Sequence, residues 1–283
     1  MHTEAFKKLI MAALREDRAA QDATTRPLAG PNDMIKGQLI AKADGVLCGL
    51  GIFTDVFKIL DKRCVVRPRF NDGQKVSSGR IIAQVAGPVR AVLAGERTAL
   101  NFVQHMSGIA TLTAKYVRET AGTKAKIFDT RKTLPGLRAL QKYAVRCGGG
   151  VNHRMNLSDM ALIKDNHLKL AYGIEDAVTR IRKAKSGITV EVECDTLEQV
   201  NEAVVSGAEI ILLDNMTVPT LRKAIAVIRK TKRSIAIEIS GGVNLATVKT
   251  FARLGVDRIS VGALTHSVPA LDISLELGAS PRL

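Results

Sequence analysis

Residues 188–240 read ITVEVECDTLEQVNEAVVSGAEIILLDNMTVPTLRKAIAVIRKTKRSIAIEIS. Here the short β-branched runs ITVEVEC, EIILLD and SIAIEI alternate with the helical patterns LEQVNEAVV and VPTLRKAIAVIRK. Strands and helices taking turns in this way predict a parallel sheet covered by helices. The alternation extends both ways. Upstream, AKIFD precedes PGLRALQKYAVRC and MALIK precedes GIEDAVTRIRKA; downstream, SIAIEI precedes LATVKTFARLG and DRISVG precedes the final segment. Such an array can form an open doubly wound sheet or a closed barrel. No GxGxxG follows the first strand, and polar residues recur at nearly every strand end. The reading is therefore an α/β class chain with an incomplete parallel α/β barrel, since six units fall short of eight.

The strand ends carry the chemistry. In order they are Asp129 with Arg131, Lys164 with Asp165, Glu193, Asp214 with Asn215, Glu238 with Ser240, and Gly262. In a parallel barrel these positions converge on one face, so charges distant in sequence can surround one ligand. The segment DTRKTLPGLRALQKYAVRCGGGVNHRMNLSDMALIKDNH, residues 129–167, adds density: Arg131, Lys132, His153, Arg154, Lys164 and His167 surround a three-glycine run. Arg meets a carboxylate or phosphate with a planar fork and Lys with a point charge, so the cluster describes a pocket for a small, multiply anionic ligand. A solvated basic face fits poorly, because the cations fall in short clusters between apolar pieces.

The rest of the chain sets bounds. At 283 residues and 46% hydrophobic it can bury a substantial core. Charge interrupts every apolar run well short of the ~20 residues of a membrane span. The N-terminal pattern Phe6, Leu9, Ile10, Ala13, Leu14 predicts an amphipathic helix rather than a targeting peptide, which makes the cytoplasm the expected location. The first ~105 residues read as short strands with Gly, Pro and Asp turns, then a long helix around PVRAVLAGERTALNFVQHMS. The expected organisation is an N-terminal α+β domain over 1–108, the incomplete barrel over 109–268, and a C-terminal segment, 269–283, packing back on the N-terminal domain. Cys48, Cys64, Cys147 and Cys194 form no CxxC pair, so neither a zinc site nor a disulfide framework is expected, and the thiols should be free and buried. A formal charge of +15 suits nucleic acid, an acidic membrane surface or anionic metabolites. With no Trp, three Tyr and no Lys/Arg tract interleaved with aromatics, base stacking has little support. Nucleic acid and membrane are not expected partners.

Several motifs admit two readings. Ser240, Gly241 and Gly242, with Gly262 and Ala263, can point backbone N–H groups and helix N-termini at one phosphate, although glycines at such turns also serve steric ends. Glu193 and Asp214 project inward from consecutive strands and can hold Mg²⁺ or ribose hydroxyls, or form a structural ion pair with Lys132 or Lys164. His153 reads as an anion donor, and His167 and His266 as structural histidines. Arg97 is balanced between function and an exposed helix charge. No serine or cysteine has the surroundings of a nucleophile.

The segments GERTALNFVQHMSGIAT, DTRKTLPGLRALQKYAVRCGGGVNHR, IKDNH, VEVEC, ILLDN, SGG and VGALTHSVPALDISLE closely resemble quinolinate phosphoribosyltransferase, the carboxylating nicotinate-nucleotide pyrophosphorylase. The likeness runs in order from the N-terminal helix almost to the C-terminus. It implies a sandwich-like N-terminal domain on an incomplete barrel, assembled as a homodimer or a multiple of dimers with Arg97 entering the partner's site. The implied reaction joins quinolinate to phosphoribosyl pyrophosphate in NAD biosynthesis, requires Mg²⁺, and yields nicotinate mononucleotide, pyrophosphate and CO₂.

Carried across by motif, Arg97, Arg131, His153, Arg154 and Lys164 clasp the two quinolinate carboxylates, and Lys132 faces the phosphoribosyl donor. Glu193 and Asp214 meet its ribose hydroxyls and the magnesium, directly or through substrate or water. Ser240, Gly241, Gly242, Gly262 and Ala263 cradle the 5-phosphate. Lys132, Lys164, Glu193 and Asp214 form the catalytic set, with the two lysines as candidates for returning a proton to the ring. The chain departs from the family pattern in the glycine-free turn EDRAAQDATT, at Asn156 where glycine is common, and at Ile239 where a small residue is frequent. A pyrophosphorylase-like protein of the molybdenum-uptake type, a nicotinate-using transferase and a basic nucleic-acid-binding protein are the rival readings.

Overall fold

Thr196 and Thr217 start the two helices of the opening stretch in the computed structural model, which describes residues 4–231 and 233–278. Thr196 accepts from Gln199 N, and the Gln199 side chain reaches back to the Thr196 N–H, a reciprocal cap on helix Leu197–Ser206. That helix stops at Gly207, whose φ of +80° belongs to the left-handed region. Thr217 caps helix Val218–Arg229, and a proline in the first turn sets its entry.

Contacts within the chain divide it into two units. The first holds residues up to Ala114, then Pro135–Gly149 and the chain from Ser267; the second holds Lys115–Leu134 and Gly150–His266. In the first unit, strands β1 (Met34–Ala41), β2 (Gly45–Val46), β3 (Val65–Pro68), β4 (Lys75–Val76) and β5 (Ile81–Pro88) are joined by antiparallel pairings β1 with β5, β5 with β3 and β2 with β4. Helix Leu50–Leu60, which the sequence reading did not anticipate, buries Ile52, Phe53, Val56 and Phe57 completely. Phe53 and Phe57 meet edge to face at 5.1 Å. The long helix runs Val89–Glu119.

In the second unit the parallel strands are β6 (Lys126–Phe128), β7 (Ala161–Ile163), β8 (Val190–Cys194), β9 (Ile210–Asp214), β10 (Ala236–Ser240) and β11 (Arg258–Ser260). Their order is β6-β11-β10-β9-β8-β7, so sequence neighbours from β7 to β11 pair in turn and β6 joins the far edge. An isolated parallel bridge, Phe128 to Val151, extends β6. This is the incomplete α/β barrel. Val190, Val192, Ile211, Leu213, Ile237 and Ile239 are buried on the alternate face from the polar residues of the same strands. Ile239 thus fills an apolar layer.

The last strand, β12 (Ile273–Leu277), pairs antiparallel with β1 on the side away from β5. Gln104 anchors the approach, accepting from Leu271 N at 3.0 Å and donating to Ile273 O at 2.7 Å. Residues 279–283 of the expected C-terminal segment lie outside the described residues. In the glycine-free turn Arg18 itself takes φ +47°. Asn156 needs no left-handed conformation; its side-chain oxygen accepts from Ser158 N and Oγ.

Candidate active site

Register decides which side chains meet. Glu193 pairs with Leu212, Leu212 with Glu238, Ser240 with Asp214 and Glu238 with Arg258, so these residues share one face of the sheet. The face opens on a cavity of about 370 Å³. Glu193, Asp214, Ser240 and Lys164 line it, together with Arg131, Lys132, His153 and Arg154 from the connections after β6. Eight residues expected at the site from their sequence positions thus border one space. Arg97 is not among the lining residues and lies exposed on the long helix of the first unit.

The cationic wall is assembled by a buried latch. Asp129, fully buried at the end of β6, accepts from His153 N at 2.8 Å through Oδ1 and from Asn152 Nδ2 at 2.6 Å through Oδ2. This ties the segment after the glycine run to the segment carrying Arg131 and Lys132. Arg154 is steadied by Nη1 donating to Met160 O at 3.1 Å. Burial, then the positive charge of Arg131, holds Arg154 below the usual guanidinium range. Two like charges facing one cavity lower the cost of bringing in an anion. Lys164 pairs with the Glu193 carboxylate, so the ion-pair alternative for Glu193 is what this structure contains.

Behind the wall lies a cluster in which sequence reasoning gave a role to His153 alone. His153 Nε2 is 3.1 Å from Glu191 Oε2 and 3.5 Å from Glu238 Oε1, and both carboxylates have no exposed surface. In the neutral ring His153 Nδ1 accepts from Arg154 N at 2.8 Å, which puts the single proton of that form on Nε2, facing the carboxylates. Burial opposes charge on the ring, but hydrogen bonds to Glu191 and Glu238 outweigh it and raise its pKa to about 9. Burial and the charge of Glu238 raise Glu191. Ser260 Oγ donates to Glu238 Oε1. Glu191 stands two residues before Glu193, and that period-two spacing was the available signal for it.

The glycine turns are tight. Gly241 has φ +83°, and a Cβ there would lie 2.1 Å from Asn215 Oδ1; Gly242 has φ +61°. Gly262 lies against Lys132 Cδ and His266 Nε2, 3.3 and 3.2 Å from the position of a Cβ. His266, read from sequence as structural, is exposed at this turn beside Lys132. The helices that follow are short: Val248–Ala252 begins well past Gly242, and Ala263–His266 is four residues long. Backbone N–H groups, rather than a long helix dipole, are what these turns offer an anion. His167 keeps a structural role, its Nδ1 accepting from Lys164 N at 2.9 Å.

Two donor sets among the described residues bring three ligand atoms within 4.8 Å of one another: His153, Glu191 and Glu238, and Cys48, Asp72 and Cys147. Glu193 and Asp214 belong to neither. They offer hard carboxylate oxygens to the cavity, which suits a cation completed by water and ligand oxygens. The thiols are free, with Cys48, Cys64 and Cys194 buried but Cys147 only half-buried because it ends helix Arg138–Cys147. No described helix is long and apolar enough to cross a membrane.

Comparison with known proteins matches residues 22–107 to the quinolinate phosphoribosyl transferase N-terminal domain and 109–276 to its C-terminal domain. The chain is 44% identical over 281 residues to the carboxylating nicotinate-nucleotide pyrophosphorylase of Mycobacterium leprae (strain TN), covering 97% of this chain and 98% of that one. It is 40% identical over 276 residues to the probable carboxylating enzyme of Bacillus subtilis (strain 168), covering 97% and 94%. The crystal structure of NadC from Streptococcus pyogenes superposes with a TM-score of 0.92 at 40% identity, covering 98% of this chain and 99% of that one. The nicotinate-nucleotide pyrophosphorylase from Francisella tularensis gives 0.91 at 39%, covering 98% of both.

Proposed function

Because this chain belongs to the quinolinate phosphoribosyltransferase family, we propose that it joins quinolinate to phosphoribosyl pyrophosphate, releasing pyrophosphate and CO₂ and leaving nicotinate mononucleotide for NAD biosynthesis. The observation that carries the reading is the convergence of Arg131, Arg154 and Lys164 on one cavity with two carboxylates and a serine at its strand ends. Three cations meet a dianion, while Glu193 and Asp214 meet hydroxyls and metal. The donor set fits Mg²⁺, which supplies neutralisation of the pyrophosphate oxygens when bound.

In this reading the cationic wall grips both quinolinate carboxylates and aims the ring nitrogen at the anomeric carbon of the donor. Glu193 leaves its pairing with Lys164 as the ligands enter, which frees the lysine for a substrate carboxylate and the carboxylate for the donor. The new carbon–nitrogen bond forms as the bond to pyrophosphate breaks, and Glu193 and Asp214 stabilise positive charge growing on the ribose. Alkylation makes the ring nitrogen cationic. That charge accepts the electron pair left when the adjacent carboxylate departs as CO₂, and a proton then fills the ring carbon. Lys132, beside the Gly262 turn, faces the donor's phosphates, and Ser240 to Gly242 hold its 5-phosphate.

The chain acts as a homodimer or multiple of dimers in this proposal, with Arg97 completing the quinolinate site of a partner copy, and works in the cytoplasm. The test is direct: incubate pure protein and Mg²⁺ with phosphoribosyl pyrophosphate and either quinolinate or nicotinate, and measure mononucleotide and CO₂. Expected are both products from quinolinate and loss of turnover on chelation, restored by Mg²⁺. Turnover of nicotinate with quinolinate inert would overturn the assignment.

A further inference from the structure

The first unit carries a second reactive cluster that the proposed reaction does not use. Cys48, in the turn before helix Leu50–Leu60, and Cys147, the last residue of helix Arg138–Cys147, come from segments about a hundred residues apart. Their sulfurs lie within 4.8 Å of each other and of the Asp72 carboxylate. Cys48 is fully buried, and its backbone is clamped to Ser107: Cys48 N donates to Ser107 Oγ at 2.9 Å and Ser107 Oγ donates to Cys48 O at 3.1 Å. Cys147 is half-buried, the least enclosed of the four cysteines.

The surroundings distinguish the two thiols. The Cys48 sulfur lies within 4.8 Å of the Cys147 sulfur, Tyr143 stands one turn earlier on the same helix, and Arg146 immediately precedes Cys147. The thiol of Cys48, burial opposing its anion, is held protonated, whereas the hydrogen bond from Cys48 outweighs burial at Cys147 and lowers that thiol below its ordinary range. Asp72 raises Cys147 in turn, but its carboxylate is already engaged: Oδ1 accepts from Gly49 N at 3.0 Å and Leu50 N at 3.1 Å, and Oδ2 accepts from Tyr143 at 3.0 Å. With three hydrogen bonds already accepted by its two oxygens, Asp72 is a poor third ligand for a metal, and the pair of sulfurs is left to react with each other.

We propose that Cys147 and Cys48 form a peroxide-reactive dithiol, with Cys147 the attacking thiol and Cys48 the resolving one, closing to an intramolecular disulfide. The Cys147 thiolate attacks one oxygen of hydrogen peroxide; the oxygen–oxygen bond breaks, leaving a sulfenic acid and a hydroxide that becomes water on taking a proton. The Cys48 sulfur then attacks the Cys147 sulfur; the sulfur–oxygen bond breaks and the departing hydroxide takes the Cys48 proton. Two thiols and one peroxide give one disulfide and two waters. Cys64 and Cys194, both buried and with thiols raised by burial to about 11 and about 12, serve as internal controls.

The test uses the reduced full-length protein, treated with stoichiometric hydrogen peroxide, blocked with an alkylating agent and digested. Expected are a Cys48–Cys147 linked peptide, reversed by a dithiol reductant, and oxidation at Cys147 about tenfold or more faster than at Cys64 or Cys194. In Cys48→Ser, a sulfenic-acid trap should label Cys147; in Cys147→Ser, it should leave Cys48 unlabelled. Absence of the linked peptide from the wild type, a link between two chains instead, or oxidation of all four thiols at one rate would overturn the proposal. The wild-type arm stands whether or not either variant folds.

Discussion

His153 Nε2 sits 3.1 Å from Oε2 of Glu191, a carboxylate with no solvent exposure. The contact holds the imidazole against the barrel interior, while the backbone of the same residue hangs from Asp129. Through Arg154 N on Nδ1, it also sets where the next side chain starts.

Replacing that carboxylate should show in the ring. In Glu191→Gln the His153 pKa should fall from about 9 toward its ordinary 6.5, read by NMR titration of the ring protons. The sign for stability follows. A base raised in the folded state contributes fully below about 6.5 and loses that contribution as pH rises through about 9. Glu191, itself raised, adds a loss of the same sign that begins lower, above the ordinary carboxylate range. Denaturation free energy of the wild type should therefore decline across this window, and the decline should be shallower in the variant. A wild-type ring titrating near 6.5 would refute the coupling.

Lys164→Ala removes a cation from the cavity and leaves Glu193 without its partner. The pair is partly exposed, so the folding cost should stay below about 1 kcal/mol. The loss in kcat/KM for quinolinate should reach about 10²–10³-fold, as for other preorganised charges at a reacting centre. A large drop in melting temperature with little kinetic change would reverse this assignment.

Two neighbouring glycines should respond differently. Gly241→Ala places a Cβ 2.1 Å from Asn215 Oδ1 at φ +83°, whereas Gly242→Ala meets nothing within 4 Å at φ +61°. The first should destabilise by about 1–3 kcal/mol and raise KM for phosphoribosyl pyrophosphate; the second should cost only about 1–2 kcal/mol of backbone strain. Thermal unfolding and initial rates at varied donor concentration separate the two. Equal effects would mean that Asn215 yields readily.

Arg97 tests the assembly. Inactive Arg97→Ala and inactive Lys164→Ala chains, refolded together, should recover about a quarter of wild-type activity if Arg97 completes a partner's site, since half the dimers are mixed and half the sites in a mixed dimer are intact. No recovery in confirmed mixed dimers would place Arg97 in its own subunit.

Much of the barrel was legible because its signals are local. Thr196 with Gln199, Gly207 and the β-branched runs act over a few residues, and the strands Val190–Cys194, Ile210–Asp214 and Ala236–Ser240 appear where the pattern put them. Helix Leu50–Leu60 escaped notice because its eleven residues are apolar on several faces, which blurs the helical period. His266 and Glu191 escaped for a different reason. Their neighbours in space, Lys132 for one and His153 for the other, are more than thirty residues away in sequence.

The sequence by itself determined the class of fold, the residue types at the strand ends and the family, since alternation, caps and long motifs are properties of contiguous residues. Only the tertiary structure decided which charges face one another. Register between parallel strands put Glu193, Asp214 and Ser240 on one face, and the Asp129 latch brought His153 to two carboxylates that no spacing rule connects to it. The physical reason is that burial and charge coupling depend on distance through space, and parallel strands bring together residues that the intervening helices separate along the chain.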